Sequence, residues 1–204
     1  MDTVLATGGL GYIGSHTCVC LLEKGFNVLI IDSLINSKLE TLNKIELIFK
    51  NNSIVKRGKL FFKEGDIRDL NFLNFVFEDF SKKELPIKSV IHFAGLKSVE
   101  ESINFPIKYW DVNVNGTLKL LSVMEKYECY NFVFSSSATV YKPKLLESLK
   151  EDDELGPINP YGNTKLSIEK VLKDLHNSNK NKWRIINLRY FNPVGAHHTS
   201  LIGE

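Results

Sequence analysis

The sequence predicts a doubly wound α/β domain, a parallel sheet with helices packed on both faces. Two observations carry that expectation. Six short apolar runs recur along the chain, and amphipathic stretches separate most of them. Short runs that are apolar without alternation fit strands buried on both faces, as in a parallel sheet. The amphipathic stretches between them supply the crossover helices that parallel pairing needs.

The first strand is expected at residues 3–6 and the first helix at 12–24, joined by Thr7-Gly8-Gly9-Leu10-Gly11-Tyr12-Ile13-Gly14. Gly8, Gly11 and Gly14 fall three apart, a close variant of the dinucleotide fingerprint. Glycines are needed there because the chain turns tightly, the backbone approaches a pyrophosphate, and the helix packs on its strand. The helix N-terminus then offers unpaired N–H groups and positive dipole to phosphate. The second strand, at 26–31, runs into Asp32, where an acid hydrogen-bonds the adenosine ribose and repels a 2′-phosphate. Glycines and acid together predict a Rossmann half-site for NAD rather than NADP.

A helix at 38–49, a polar basic surface loop at 51–59, a strand at 60–63, a helix at 69–81 and a strand at 89–93 follow. The next helix, 106–127, carries Ile107, Trp110, Val114, Leu118, Leu121 and Met124 as one apolar stripe, with Leu120, Val123 and Tyr127 beside it. So wide a surface serves either the sheet alone or the sheet and a subunit contact. A strand at 131–135, an acidic loop at 142–159, a helix at 161–177 and a strand at 184–188 complete the pattern. Neither a repeat nor a second domain boundary is visible, so residues 1–204 read as one domain.

Composition excludes several classes. The formal charge is +2 and spread along the chain, which does not indicate nucleic acid or an anionic membrane as partner. The apolar N-terminus lacks the basic start of a signal peptide, and no apolar run reaches the ~20 residues of a membrane span. Cys18, Cys20 and Cys129 form no metal spacing and read as free thiols of a reducing compartment, so a cytoplasmic protein is expected. Cys18 and Cys20, two apart on a helix, face different ways. No metal site is expected.

Tyr161 and Lys165 stand four apart on an expected helix and so share a face. An ammonium beside the phenol favours phenolate, making Tyr161 a candidate base. Ser135-Ser136-Ser137 ends the fifth strand, and ligands of parallel α/β sheets bind beyond the carboxyl ends of strands. A hydroxyl there holds a substrate oxygen near the tyrosine.

With Ser, Tyr and Lys in that order behind the glycine turn, the chain resembles the extended short-chain dehydrogenase/reductase superfamily. Within it, the chain is similar to the UDP-glucose 4-epimerase family. The matching runs are T-G-G-L-G-Y-I-G-S-H-T at 7–17, H-F-A-G-L-K at 92–97, F-S-S-S-A-T-V-Y at 134–141, N-P-Y-G-N-T-K at 159–165 and R-Y-F-N-P-V-G-A-H at 189–197. The resemblance implies Ser137, Tyr161 and Lys165 as the catalytic set, with Lys165 also holding the nicotinamide ribose. It implies Tyr12 and Ile13 at the pyrophosphate, Asn36 and Ser37 with Asp32 on the adenosine, and Asp66 and Ile67 flanking adenine. Phe93, Ala94, Gly95 and Lys97 would line NAD, Phe191 would sit by the nicotinamide, and Tyr190 and Asn192 would meet the sugar nucleotide. The implied activity interconverts UDP-glucose and UDP-galactose in a homodimer formed through the helices at 106–127 and 161–177.

Family members continue past the position of Glu204 into a portion that holds the uridine diphosphate, so the C-terminal substrate domain is expected to be missing. Four positions depart from the family pattern. Val112 replaces an asparagine that reaches the cofactor region, Glu100 and Lys142 replace glycines, and Ala6 replaces a valine. Two other readings stand beside the epimerase: another sugar-nucleotide enzyme, such as a dehydratase or decarboxylase, and a non-catalytic NAD-binding module. Ser136-Ser137-Ala138 argues against a dehydratase, which usually carries a Thr-Asp-Glu type run there.

Overall fold

The computed structural model describes residues 3–51, 58–144 and 148–203. Six strands, β1 (Thr3–Thr7), β2 (Asn27–Asp32), β3 (Leu60–Glu64), β4 (Ile87–His92), β5 (Asn131–Ser137) and β6 (Arg184–Tyr190), pair in the order β3-β2-β1-β4-β5-β6, all parallel. Each covers its expected run to within two residues. The helices are α1 (Tyr12–Glu23), α2 (Glu40–Asn51), α3 (Leu70–Lys82), α4 (Val99–Asn104), α5 (Pro106–Tyr109), α6 (Gly116–Lys126) and α7 (Pro160–Ser178). A π-turn, Trp110–Asn115, joins α5 to α6, and a short 3₁₀ turn, Ala138–Val140, follows β5.

Alternate residues of the central strands feed two cores. Leu5, Leu29 and Ile31 pack with Phe77 and Phe80 of α3, Leu120 and Met124 of α6, and Ile168 and Leu172 of α7. Ala6, Val28 and Ile30 pack on the opposite face with Val19 and Leu22 of α1 and Ile45 and Ile48 of α2. Truncating one of the large fully buried side chains, such as Phe77, would cost about 3–5 kcal/mol. The doubly wound fold is therefore built as expected, except at β6. Ile186 and Leu188 are 57% and 37% exposed, so that face carries no covering layer among the described residues.

The fourth expected helix needs correction. It is divided into α5, the π-turn and α6, and its buried line is Tyr109, Asn113, Thr117, Leu120 and Met124. Ile107, Trp110 and Leu118 of the expected stripe are exposed, Ile107 at 83%, whereas its Leu121 and Met124 and the neighbouring Leu120 and Val123 are buried in the core. Two polar residues, Asn113 and Thr117, stand on the sheet-facing line, so apolar spacing misplaces the buried face in the first half of the stretch. The π-turn, which holds more residues per turn, moves the phase further.

Most of the expected loop at 51–59 lies outside the described residues, as do 145–147 of the loop at 142–159. Helix α4, absent from the sequence reading, starts at Ser98, whose hydroxyl accepts the Glu101 N–H at 3.2 Å. Cys18 is buried and Cys20 exposed on α1, and both are free thiols, as is Cys129. No described helix is long and apolar enough to cross a membrane.

Candidate active site

The strand order reverses between β1 and β4, and a crevice of about 500 Å³ opens at the carboxyl ends of the strands there. That is where open α/β sheets place their ligands. The crevice brings together every residue singled out above for catalysis, cofactor or substrate: Gly8, Gly11, Tyr12, Ile13 and Gly14 at one wall, Asp32, Asn36, Ser37, Asp66 and Ile67 at one end, and Phe93 to Lys97 between them. Ser137, Tyr161, Lys165, Tyr190, Phe191 and Asn192 stand at the other end.

The glycine turn is built by close approach. Gly8 has φ +66°, and a Cβ there would sit 2.6 Å from the Ala94 backbone nitrogen. A Cβ on Gly14 would meet the Gly8 carbonyl oxygen at 2.6 Å. These two glycines let β1, α1 and the loop after β4 converge. Gly11 meets only that same oxygen, at an ordinary 3.4 Å, so protein packing does not explain it and the room lies toward the crevice. Gly11 caps α1 with no side-chain bond and no acid stands in the first turn. The N–H groups of that turn have no intrahelical partner and, with the helix dipole, favour an anion there.

Asp32 closes one end of the crevice. Its carboxylate accepts the Leu10 N–H at 3.0 Å, the Leu34 N–H at 3.0 Å and the Ser37 hydroxyl at 2.7 Å, tying β2 to the glycine turn. A carboxylate offers about four lone-pair sites, so capacity for a ligand hydroxyl remains. Asp66 is fixed by Arg68, whose Nη2 and Nε reach its Oδ2 at 2.7 and 3.1 Å while Nη1 reaches Asp111 at 2.7 Å. Those bonds hold the Asp66 carboxyl below the usual carboxylate range. Ile67 is buried against Gly116, where a Cβ would lie 2.7 Å from its Cδ1.

At the other end, α7 begins with Asn159 accepting the Gly162 N–H at 2.8 Å and Pro160 in the first turn. That start aims Tyr161 at the end of β5. Tyr161 stands beside Ser137 in the crevice, and the Ser137 oxygen takes the Thr139 N–H and hydroxyl at 3.2 and 3.0 Å. Lys165 is buried, its ammonium donating to the Ser135 carbonyl at 2.8 Å and lying 5.8 Å from the Tyr161 ring centre. Burial brings Lys165 down to about 8. Burial also raises Tyr161, opposed only by the neighbouring Ser137 hydroxyl. The expected lowering by Lys165 is therefore not a property of the protein alone, because the ammonium is engaged by Ser135 and desolvation dominates.

Asn113 was missed by the sequence reading. Its Oδ1 accepts the Leu96 N–H at 2.8 Å, and its Nδ2 donates to the Leu96 carbonyl and to Thr164 Oγ1, both at 3.1 Å. No local pattern marks it, because polar residues are frequent along 106–127 and it lies off the expected apolar stripe. Of the departures, Val112 lines the crevice beside Leu96 and Tyr161. Glu100 is exposed in the first turn of α4, where a negative charge suits the helix dipole, so no crowding results. Lys142 is exposed and pairs with Glu154 at 3.0 Å, and Ala6 is core. Among the described residues no cluster suits a metal ion.

A model of the family described as GDP-mannose 4,6 dehydratase matches residues 5–202. The chain is 48% identical over 202 residues to the UDP-glucose 4-epimerase of Bacillus subtilis (strain 168), covering 98% of this chain and 56% of that protein. It is 47% identical over 204 residues to the UDP-glucose 4-epimerase of Dictyostelium discoideum, covering 100% and 55%. Among solved structures, a UDP-glucose-4-epimerase from Stenotrophomonas maltophila with bound NAD and formylated UDP-arabinopyranose superposes with TM-score 0.90 at 41% identity, covering 100% of this chain and 57% of that one. A UDP-glucose 4-epimerase from Bifidobacterium longum in complex with NAD+ and UDP gives TM-score 0.88 at 44% identity, covering 100% and 57%. The chain spans little more than half the length of the curated relatives it matches.

Proposed function

The chain belongs to the family described as GDP-mannose 4,6 dehydratase, and from that premise we propose that residues 1–204 form the NAD-holding domain of a UDP-glucose 4-epimerase. The observation that carries this reading is the meeting of Ser137, Tyr161 and Lys165 with the glycine turn in one crevice. The similar proteins named above are epimerases, and Ser136-Ser137-Ala138 stands where dehydratases carry an acidic run.

The cradle fits NAD. The uncapped start of α1 would take the pyrophosphate, Asp32, Asn36 and Ser37 the adenosine ribose side, Asp66 and Ile67 the adenine, and Lys165 and Phe191 the nicotinamide end. When bound there, NAD supplies the acceptor and then the donor of hydride at sugar C4. Tyr161 is the base for the sugar 4′-hydroxyl proton, and Ser137, beside it in the crevice, orients that hydroxyl. The phenol starts above its ordinary value, so a cation brought near it on binding lowers the cost of ionisation. Tyr190 and Asn192, at the end of β6, would meet the sugar nucleotide.

Two copies would pair through the helices at 106–127 and 161–177, and the three free thiols suit the reducing cytoplasm. The test is to purify the protein, release and identify any bound NAD, and assay conversion of UDP-galactose to UDP-glucose. Tyr161→Phe is expected to keep NAD and lose at least about a hundredfold in turnover. Bound NAD with no turnover, even when the chain is extended by the family's C-terminal portion, would overturn the epimerase reading in favour of a binding module.

A further inference from the structure

Thr7, His92, Thr117 and Asn113 are almost wholly buried where the packing of β1, β4 and α6 calls for hydrocarbon. The His92 ring lies against Phe132 and Phe134, and both its nitrogens are engaged. Nδ1 stands 2.6 Å from Thr7 Oγ1 and Nε2 stands 2.9 Å from Thr117 Oγ1. Thr117 Oγ1 in turn lies 2.5 Å from the Asn113 carbonyl oxygen.

Proton counting fixes the direction of this chain. A carbonyl only accepts and a hydroxyl has one proton, so the Thr117 proton goes to Asn113. Thr117 must then accept from Nε2–H, which leaves Nδ1 to accept the Thr7 hydroxyl proton. Thr7 Oγ1 faces the Ala94 N–H at 3.5 Å. The opposite tautomer would leave two oxygens 2.5 Å apart with no proton between them. Burial, with the Lys165 ammonium as the charged group facing the ring, takes His92 down to about 3, so it is neutral in ordinary buffers.

The receiving carbonyl belongs to the π-turn, a geometry that recurs at functional sites. From the same residue, the side chain of Asn113 holds Leu96 and Thr164, and the Thr164 hydroxyl donates to the Tyr161 carbonyl at 2.7 Å. One end of the chain thus sits by the glycine turn and the other by the first turn of α7.

We propose that His92 is a positioning residue, a neutral spacer protonated at Nε2 whose one-way hydrogen-bond chain sets the register of the π-turn and holds Asn113 across the Leu96 loop and α7. Its consequence for cofactor binding rests on the function proposed above. The test has two arms. In ¹⁵N-labelled protein without cofactor, the His92 ring nitrogens should report the Nε2–H tautomer. The Asn113 side-chain amide should exchange slowly in wild type and in Thr117→Ser, and faster in Thr117→Val.

In the second arm, NAD affinity should stay within about twofold for Thr117→Ser, which keeps the hydroxyl, and fall about tenfold for Thr117→Val, which keeps only the shape. An Nδ1–H tautomer in wild type would overturn the proposal. So would equal amide exchange and equal NAD affinity in the two variants. Wild-type protein that binds no NAD would refute the cofactor reading instead, and the first arm would still decide the role of His92. Should Thr117→Val not fold, the wild-type tautomer decides alone.

Discussion

Lys165 shows how one residue carries both a folding cost and a functional setting. Its ammonium is buried against a single carbonyl, and burial takes it from an ordinary 10.5 to about 8. Between those values the unfolded chain holds a proton that the folded chain has released. The unfolded state then binds more protons, so the Lys165 contribution to stability becomes more favourable as pH rises through about 8 toward 10.5. Urea unfolding of wild type and Lys165→Met across pH 7–10 should show wild type gaining on the variant over that window. A difference that stays flat with pH would mean the lysine is not desolvated. The spacing of Tyr161 and Lys165 is legible in the sequence, but its electrostatic outcome is not. Four residues of separation put them on one face, whereas the partner that holds the ammonium, Ser135, comes from another element thirty residues away.

At the scale of elements, strands were the most legible features, because burial on both faces demands runs of Val, Leu, Ile and Phe that nothing else in a polar chain imitates. The first half of the stretch 106–127 is less legible for the same reason in reverse. Its sheet-facing line includes Asn113 and Thr117, which burial alone would not select. The clamp beneath Ser137 was likewise invisible. Glu169 of α7 accepts the Ser136 hydroxyl at 2.5 Å and takes Arg189 of β6 in a fork at 3.0 and 2.8 Å, while Arg189 also reaches the Tyr141 hydroxyl at 3.0 Å. These partners belong to different elements, and no local period announces them. Breaking one side of a buried pair leaves a charge without compensation, so Arg189→Met should cost about 3 kcal/mol. The double variant Glu169→Met/Arg189→Met should recover most of that loss, since both charges are then gone. Chemical unfolding of the three proteins measures it, and a double variant no more stable than Arg189→Met would show that the pair works through packing instead.

At the scale of the whole molecule, the apolar residues left on the surface bear on the subunit contact proposed above. Ile103, Phe105, Ile107, Trp110 and Leu118, all exposed, fall on or between α4, α5 and α6, and Ile107 is 83% exposed. Scattered apolar residues need no explanation, but five drawn from one stretch of adjoining helices are the kind of surface that a monomer covers by association. The outward residues of α7, Asn163, Lys170, Lys173 and Asp174, are polar and would form the rim of such a contact. A twofold contact presents each residue to the same patch on the other copy, so a single charge introduced on the patch enters twice. Leu118→Lys is therefore expected to convert a dimer into a monomer in sedimentation velocity at micromolar concentration, while leaving the crevice and its NAD content intact. The reference change Ile186→Lys, on the uncovered face of β6, should leave the dimer as it is. If wild type sediments as a monomer, or if Leu118→Lys remains dimeric, the contact does not lie on these helices.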